Sequence, residues 1–256
     1  MIPVLMYHHV HPAPLDPPPR HPGSYLTPED FAAQLDRLAA WGFTTPTLAE
    51  AAAGVGDHRP RRRVVLTFDD GCRCFAEQVV PALRARGQRA TVFAVSGALG
   101  GHNRWDEAEG ERREALMDAG ELAAVADAGM EVGSHGRGHR DLALLQGAEL
   151  EAEVAGSRRD LEAVVGRPVT TFCYPWGRLS PSAREAVRGA GYAAAVSIHG
   201  HAGAAAGDRW AVPRMIVAPG EGRFELWLKA AGLYPAWSRL PRLGLLAALR
   251  RRGRAT

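Results

Sequence analysis

The sequence predicts one parallel α/β unit, a distorted and incomplete (β/α) barrel of about seven strands, and three observations predict it. Short β-favouring runs alternate with helical patterns along the chain. Two of these runs, at residues 64–68 and 129–134, lead directly into clusters of Asp or His, as expected where parallel strands open their C-terminal ends on one face. The alternative, an open doubly wound sheet, lacks the Gly-rich dinucleotide loop that would support it. With 256 residues, 46% of them hydrophobic, the chain can bury a core of this size as a single domain.

Residues 3–7 make a first strand that delivers His8 and His9 at its end. The Pro-rich stretch 11–22 cannot hold regular structure and reads as a surface loop. Thr27-Pro-Glu-Asp30 opens a helix: Thr27 caps it, Pro28 suits the first position, and the acids favour the positive end of the dipole. Phe31, Leu35 and Leu38 form its apolar face and Gly42 stops it. An extended piece at 43–47, a helix at 48–53 and a basic linker at 59–63 lead to the central strand. There Val64, Val65, Leu66 and Thr67 run through Phe68 into Asp69, Asp70 and Gly71. A helix at 77–86, a strand at 90–95, a polar loop at 100–110 holding Trp105, and helices over 112–128 follow. After the strand at 129–134 come a helix at 144–165, a strand at 169–173, a helix at 182–190, and strands at 193–196 and 211–216.

Charge separates a body from a tail. Residues 226–256 carry seven basic side chains and no acidic one, leaving 24 basic against 28 acidic in residues 1–225. The reading is a catalytic domain over 1–225 and a basic, Leu/Arg-rich extension over 226–256. A basic terminus is not a basic patch on the globular part, so no nucleic-acid partner is expected. The extension could touch a membrane or a partner protein weakly, and a solvated terminal helix is the blander reading. Cys72, Cys74 and Cys173 form no disulfide framework, and Cys72-Arg-Cys74 lacks the two-residue spacer of the usual zinc or redox pair, so all three are expected as thiols. The first residues have neither the basic start nor the apolar length of a signal peptide or membrane span, which points to the cytoplasm.

Adjacent Asp residues at a strand end point to opposite faces, so Asp69 and Asp70 are expected to have different roles; the plain alternative is an acidic turn. Ser134-His-Gly-Arg-Gly-His139 places two imidazoles four residues apart, a spacing that one compact loop can converge on a point. Two neutral nitrogens and one carboxylate leave coordination positions open, as a catalytic zinc site requires. His102, His199 and His201 read as solvated loop histidines.

Thr67-Phe-Asp-Asp-Gly71 and His135-Gly-Arg-Gly-His139 resemble the first two motifs of the polysaccharide deacetylases, metal-dependent carbohydrate esterases that remove N-acetyl groups from glycans. Thr171-Phe-Cys-Tyr-Pro-Trp-Gly177 resembles the third motif, and Val4-Leu-Met-Tyr-His8 the motif that carries a general-acid histidine. That last motif stands at the start here. With Val212-Pro-Arg-Met215, its position resembles the permuted branch that includes the poly-N-acetylglucosamine deacetylases. The resemblance spans roughly residues 2–217 and implies the barrel of that family. It also implies that Asp70, His135 and His139 hold a divalent metal, Zn2+ first with Co2+ or Ni2+ as alternatives, while Asp69 is the general base and His8 the acid. His9 is the rival for the acid. Trp176 would offer a backbone N–H to the oxyanion in a turn with Pro175, and Tyr174, Trp176 and Trp105 would bind sugar. The arginine that precedes the turn in many relatives is Cys173 here, and Arg214 is the candidate to replace it as the brace of the base. The implied substrate is an N-acetylated carbohydrate. The alternatives are O-acetyl esters, another amide or a phosphoester, and an inert carbohydrate-binding relative.

Overall fold

The computed structural model describes residues 2–54, 62–198 and 207–238. Strands β1 (Val4–Tyr7), β2 (Val65–Phe68), β3 (Thr91–Ala94), β4 (Glu131–Ser134), β5 (Thr171–Cys173), β6 (Ala194–Ile198) and β7 (Val212–Ile216) form a closed barrel. Each pairs in parallel with the next in sequence, and Leu5 opposite Met215 joins β7 back to β1. Seven strands close the ring, one fewer than in a complete eight-stranded barrel. The distortion concentrates between β4 and β5, where Ser134 opposite Phe172 is the one register pair, against four between β1 and β2.

Strand alternation sorts the buried residues into two packed groups. Val4, Val65, Phe93, Cys173, Val196 and Val212 pack together inside the ring, and Leu5, Tyr7, Leu66, Phe68, Val92 and Phe172 pack outward beneath the helices. With both faces covered, the strands read as near-continuous apolar runs. The helix Pro28–Ala40 starts as expected, with Thr27 accepting the Asp30 N–H, and buries Phe31, Leu35 and Leu38. Gln34 is buried beside them and accepts the Tyr7 hydroxyl at 3.1 Å.

The N-terminal end of the barrel is partly covered by the short helix Leu48–Ala52, opened by a Thr47–Glu50 capping box, beside a cavity of about 360 Å³ lined by Val4, Leu48, Val65 and Val212. Its first amides reach into the barrel floor: Leu48 N–H donates to Thr91 Oγ1 and Ala49 N–H to Glu131 Oε2, both at 2.9 Å. Glu131 is held there by the Thr91 and Thr171 hydroxyls.

The helix expected at 77–86 begins earlier, as a wide turn over Phe75–Val79 that runs into Val80–Arg84. The boundary expected after residue 225 does not hold. It falls inside the helix Arg223–Ala230, whose Leu226, Lys229 and Ala230 are buried. Lys229 donates to Ile216 O at 2.8 Å and pairs with Glu221, so this helix is part of the barrel domain. Residues 239–256, which hold the remaining basic residues of the tail, lie outside the described residues, as do His199 and His201. Among the described residues no helix is long and apolar enough to cross a membrane.

Candidate active site

The C-terminal ends of the strands converge on one cleft. His8 follows β1, Asp69 and Asp70 follow β2, His135 follows β4, and Trp176 and Gly177 follow β5. The cleft has a volume of about 150 Å³, and Trp105 and Ile198 complete its inner wall. Its outer wall includes His21 and Glu111, which bond to each other at 2.8 Å and tie the Pro-rich loop to the Trp105 loop. Asp70, His139 and Trp176 have φ of 71°, 53° and 52°, the non-glycine residues with positive φ among the described ones, and all three are in this site. Such backbone costs of order 1–3 kcal/mol per residue, so the surrounding structure must impose it.

Arg214 reaches Asp69 from inside β7. Its Nη1 donates to Asp69 Oδ1 at 2.6 Å and its Nη2 to Oδ2 at 2.7 Å, in a fork that fixes the plane of the carboxylate. Nε donates to Ser197 O and Nη1 also to Thr67 Oγ1, at 3.2 and 3.1 Å. Cys173 Sγ, where many relatives would have their arginine, lies 3.0 Å from Nη2. Burial alone would raise the Asp69 pKa, but Arg214's charge and hydrogen bonds outweigh it and hold the carboxyl well below the usual range. His8 Nε2 stands 4.0 Å from Asp69 Oδ2.

Asp70 faces the other way. Its Oδ1 lies 3.6 Å from His135 Nε2 and 3.5 Å from His139 Nε2, and these donors fall within 4.8 Å of one another. His135 Nδ1 bonds to Cys173 O at 2.9 Å, which leaves Nε2 as the lone-pair nitrogen. Trp105 stacks on the His139 ring at 4.4 Å and Trp176 meets it edge-on at 4.4 Å.

These donors fit a divalent cation. Burial, then the adjacent Asp69 charge, pushes Asp70 up to about 8. Burial pushes His135 and His139 down. A carboxylate short of positive charge beside two unprotonated imidazoles is an arrangement that a cation relieves at all three groups. His139 Nδ1 is also buried with no hydrogen-bond partner among the described residues.

The loop between the two histidines is held by Glu153, which sequence reasoning missed. Its carboxylate accepts the Arg137 N–H at 3.0 Å and the Gly138 N–H at 2.9 Å. A Cβ on Gly136 would come within 3.1 Å of Glu153 Oε2, and one on Gly138 within 3.0 Å of Oε1, so the glycines in His-Gly-Arg-Gly-His make room for this carboxylate. The brace presents His139 to His135.

Residues 56–195 match the family model described as polysaccharide deacetylase, more than half of the chain. The chain belongs to the polysaccharide deacetylase family. It is therefore an enzyme of the carbohydrate esterase class. It is 27% identical over 224 residues to YxkH of Bacillus subtilis (strain 168), whose name assigns it to the same family; the match covers 86% of this chain and 72% of that one. In fold it is similar to the Streptococcus pyogenes deacetylase PplD in complex with acetate, at TM-score 0.73 and 22% identity over 90% of this chain and 97% of that one. It is also similar in fold to IcaB from Ammonifex degensii, at TM-score 0.70 and 23% identity over 91% and 97%.

The deacetylase site departs from the sequence expectation at two residues. Tyr174 does not stack on sugar: it is fully buried, packed outward between Phe172 and the helices, and its hydroxyl donates to Trp210 O at 2.9 Å. Strand parity explains this, because Cys173 faces the barrel interior and its neighbour must face out. His9, the rival for the acid, lines the cleft on the Asp70 side, within 4.8 Å of that carboxylate and stacked on Tyr25 at 4.4 Å, whereas His8 is the histidine beside Asp69. Pro175 is buried in the turn beneath Gly136 and shapes the cleft wall without lining it. Within that turn the Gly177 and Arg178 amides bond to Tyr174 O and Pro175 O.

Proposed function

We propose that this deacetylase is metal-dependent and releases acetate from N-acetylated sugars of a polysaccharide, an oligosaccharide or a glycan precursor. One observation carries the reading: a triangle of donor atoms that could hold an ion, from Asp70, His135 and His139, adjoins a second carboxylate, Asp69, that stays out of it and is fixed by Arg214. A divalent ion bound there, Zn2+ by its nitrogen and oxygen donors, supplies Lewis acidity that polarises the acetyl carbonyl and acidifies water.

Asp69 accepts the proton of the attacking water. Arg214 lowers its basicity but fixes its direction, so the acceptor is already aligned when the reaction begins. His8 enters the cycle neutral at pH 7, because burial pushes it down to about 4 against the opposing pull of Asp69. Negative charge building up on the substrate favours the imidazolium, and His8, 4.0 Å from Asp69 Oδ2, takes up the proton that Asp69 accepted from water and passes it to the departing amine, a poor leaving group without it. The Trp176 N–H, in the positive-φ turn beside the cleft, is the donor for the oxyanion, an interaction worth roughly 3 kcal/mol in such sites.

Substrate size follows from the cleft. At about 150 Å³ it is smaller than the roughly 300–1,000 Å³ of pockets that enclose a whole ligand, so it suits the acetyl group while the sugar lies along the rim by Trp105 and Trp176. Acetate release from a panel of N-acetylated oligosaccharides and O-acetylated counterparts, with and without chelator, tests the reading. Chelator-sensitive release from the amides supports it, and release from the esters alone would replace the amide by an ester as the bond cleaved.

A further inference from the structure

We propose that the chain holds a second metal ion, zinc or another soft divalent ion, in a buried site built from His9, His11, Cys72 and Cys74. The ring nitrogens of His9 and His11 and the sulfur of Cys74 lie within 4.8 Å of one another. Cys72 adjoins them, with its sulfur in the same range of His9 and of Asp70. A tetrahedral zinc with bonds of about 2.3 Å to sulfur and about 2.0 Å to nitrogen sets its donors roughly 3.3–3.8 Å apart, so contraction by about 1 Å brings His9, His11 and Cys74 onto one ion, and Cys72, grouped with His9 and Asp70, must swing further to join as the fourth ligand.

The backbone holds both sides of the cluster in place. The strand His9–Val10 pairs with Tyr25–Leu26, and His11 N–H bonds Leu26 O at 2.9 Å. On the other side Cys72 is bridged to Leu116, and Arg73 N–H bonds Ala115 O at 2.8 Å. Cys72 and Cys74 are both buried free thiols, with no disulfide. A separate observation points to a ligand: His9 Nδ1 is buried, in a residue 5% exposed, with no hydrogen-bond partner among the described residues. Glu114 Oε2 engages His11 Nε2 at 2.9 Å, which leaves Nδ1 as that ring's free donor in the carboxylate–imidazole pattern typical of metal ligands. Sulfur and imidazole donors select zinc-like ions, and with Cys72 recruited as the fourth ligand no position would stay open, so the ion would be structural. It would clamp the segment that follows His8 to the loop that follows Asp70.

The test counts ions and identifies sulfur ligation on the full-length protein, so its outcome is independent of whether the protein cleaves acetamides. Protein loaded with Zn2+ and desalted should retain two equivalents. Loaded with Co2+, it should show intense near-ultraviolet thiolate-to-cobalt charge transfer, which a site of nitrogen and oxygen donors cannot give. His139→Ala should fall to one equivalent and keep that absorption. Cys74→Ser should fall to one equivalent and lose it, and Cys173→Ser should keep it. One equivalent and no charge-transfer absorption in the unmutated protein would overturn the proposal, as would absorption that disappears with Cys173→Ser alone. If Cys74→Ser fails to fold, His139→Ala and Cys173→Ser still decide.

Discussion

Arg214 and Asp69 form a fully buried, two-pronged ion pair inside the barrel, at 2.6 and 2.7 Å. The guanidinium arrives from β7, and Cys173 on β5 supplies only a sulfur 3.0 Å from it. A brace that the resemblance places beside the Pro-aromatic turn is thus delivered from another strand to the same carboxylate.

Arg214→Lys keeps the charge and loses the fork, so it should fold and lose on the order of 10–100-fold in kcat through misalignment of Asp69. Arg214→Met leaves a buried carboxylate unpaired and should destabilise the protein by about 3–5 kcal/mol in denaturant titrations. Full turnover in the Lys variant would show that the fork does not position the base.

Asp70 predicts a pH dependence of ion uptake. Its pKa in the ion-free protein is pushed up to about 8 from an ordinary 3.8, and the ion needs the ionised form. Loading at pH 7 should therefore release a proton, and apparent affinity should climb to about pH 8 and level off. Because the folded value is the raised one, ionising Asp70 costs stability from about pH 4 upward, and the cost grows until about pH 8. Asp70→Asn should accordingly raise the Tm of the ion-free protein at pH 7.5 while abolishing ion uptake. Calorimetry in two buffers counts the protons and thermal melts test the sign. No proton release together with a lower Tm would mean that the carboxylate is already ionised.

His8→Ala should leave ion content unchanged and lower kcat on an acetamide by on the order of 10²–10⁴, the usual contribution of a general acid. An aryl acetate, whose leaving group needs no proton, should suffer much less. Equal losses on both substrates would reduce His8 to a structural part.

Glu153→Gln keeps the shape and removes the charge that holds the Arg137 and Gly138 amides. Ion affinity should fall by about 10–100-fold, as for other residues that orient ligands from behind. Competition with a chromophoric chelator measures it, and unchanged affinity would show that the loop holds itself.

Much of this was legible because the chemistry sits in short strings at strand ends. Asp69, Asp70, His135, His139 and His8 each follow a β-favouring run, and a parallel barrel brings such ends together. Glu153 gave no local signal: it is one acid among several on a helical segment, and its task exists only once that segment packs behind the Gly136–Gly138 loop. Cys72 and Cys74 were judged by their own spacing, whereas their partners His9 and His11 are distant in sequence and arrive through topology. The direction of Tyr174 could have been counted from strand parity, since Cys173 points inward. The tail boundary followed charge and overlooked Leu226 and Ala230, which are spaced to bury one face of a helix.

Metal-dependent N-deacetylation with Asp69 as the base is measured by following acetate and free amine together from an N-acetylglucosamine oligosaccharide, using metal-loaded protein, chelator-treated protein and metal-loaded Asp69→Asn. Equal amounts of the two products are expected from the first, none above background from the second, and a yield roughly 10²–10⁴-fold slower from the third at full ion content. Equal product from loaded and chelated protein, or undiminished product from Asp69→Asn, would contradict it.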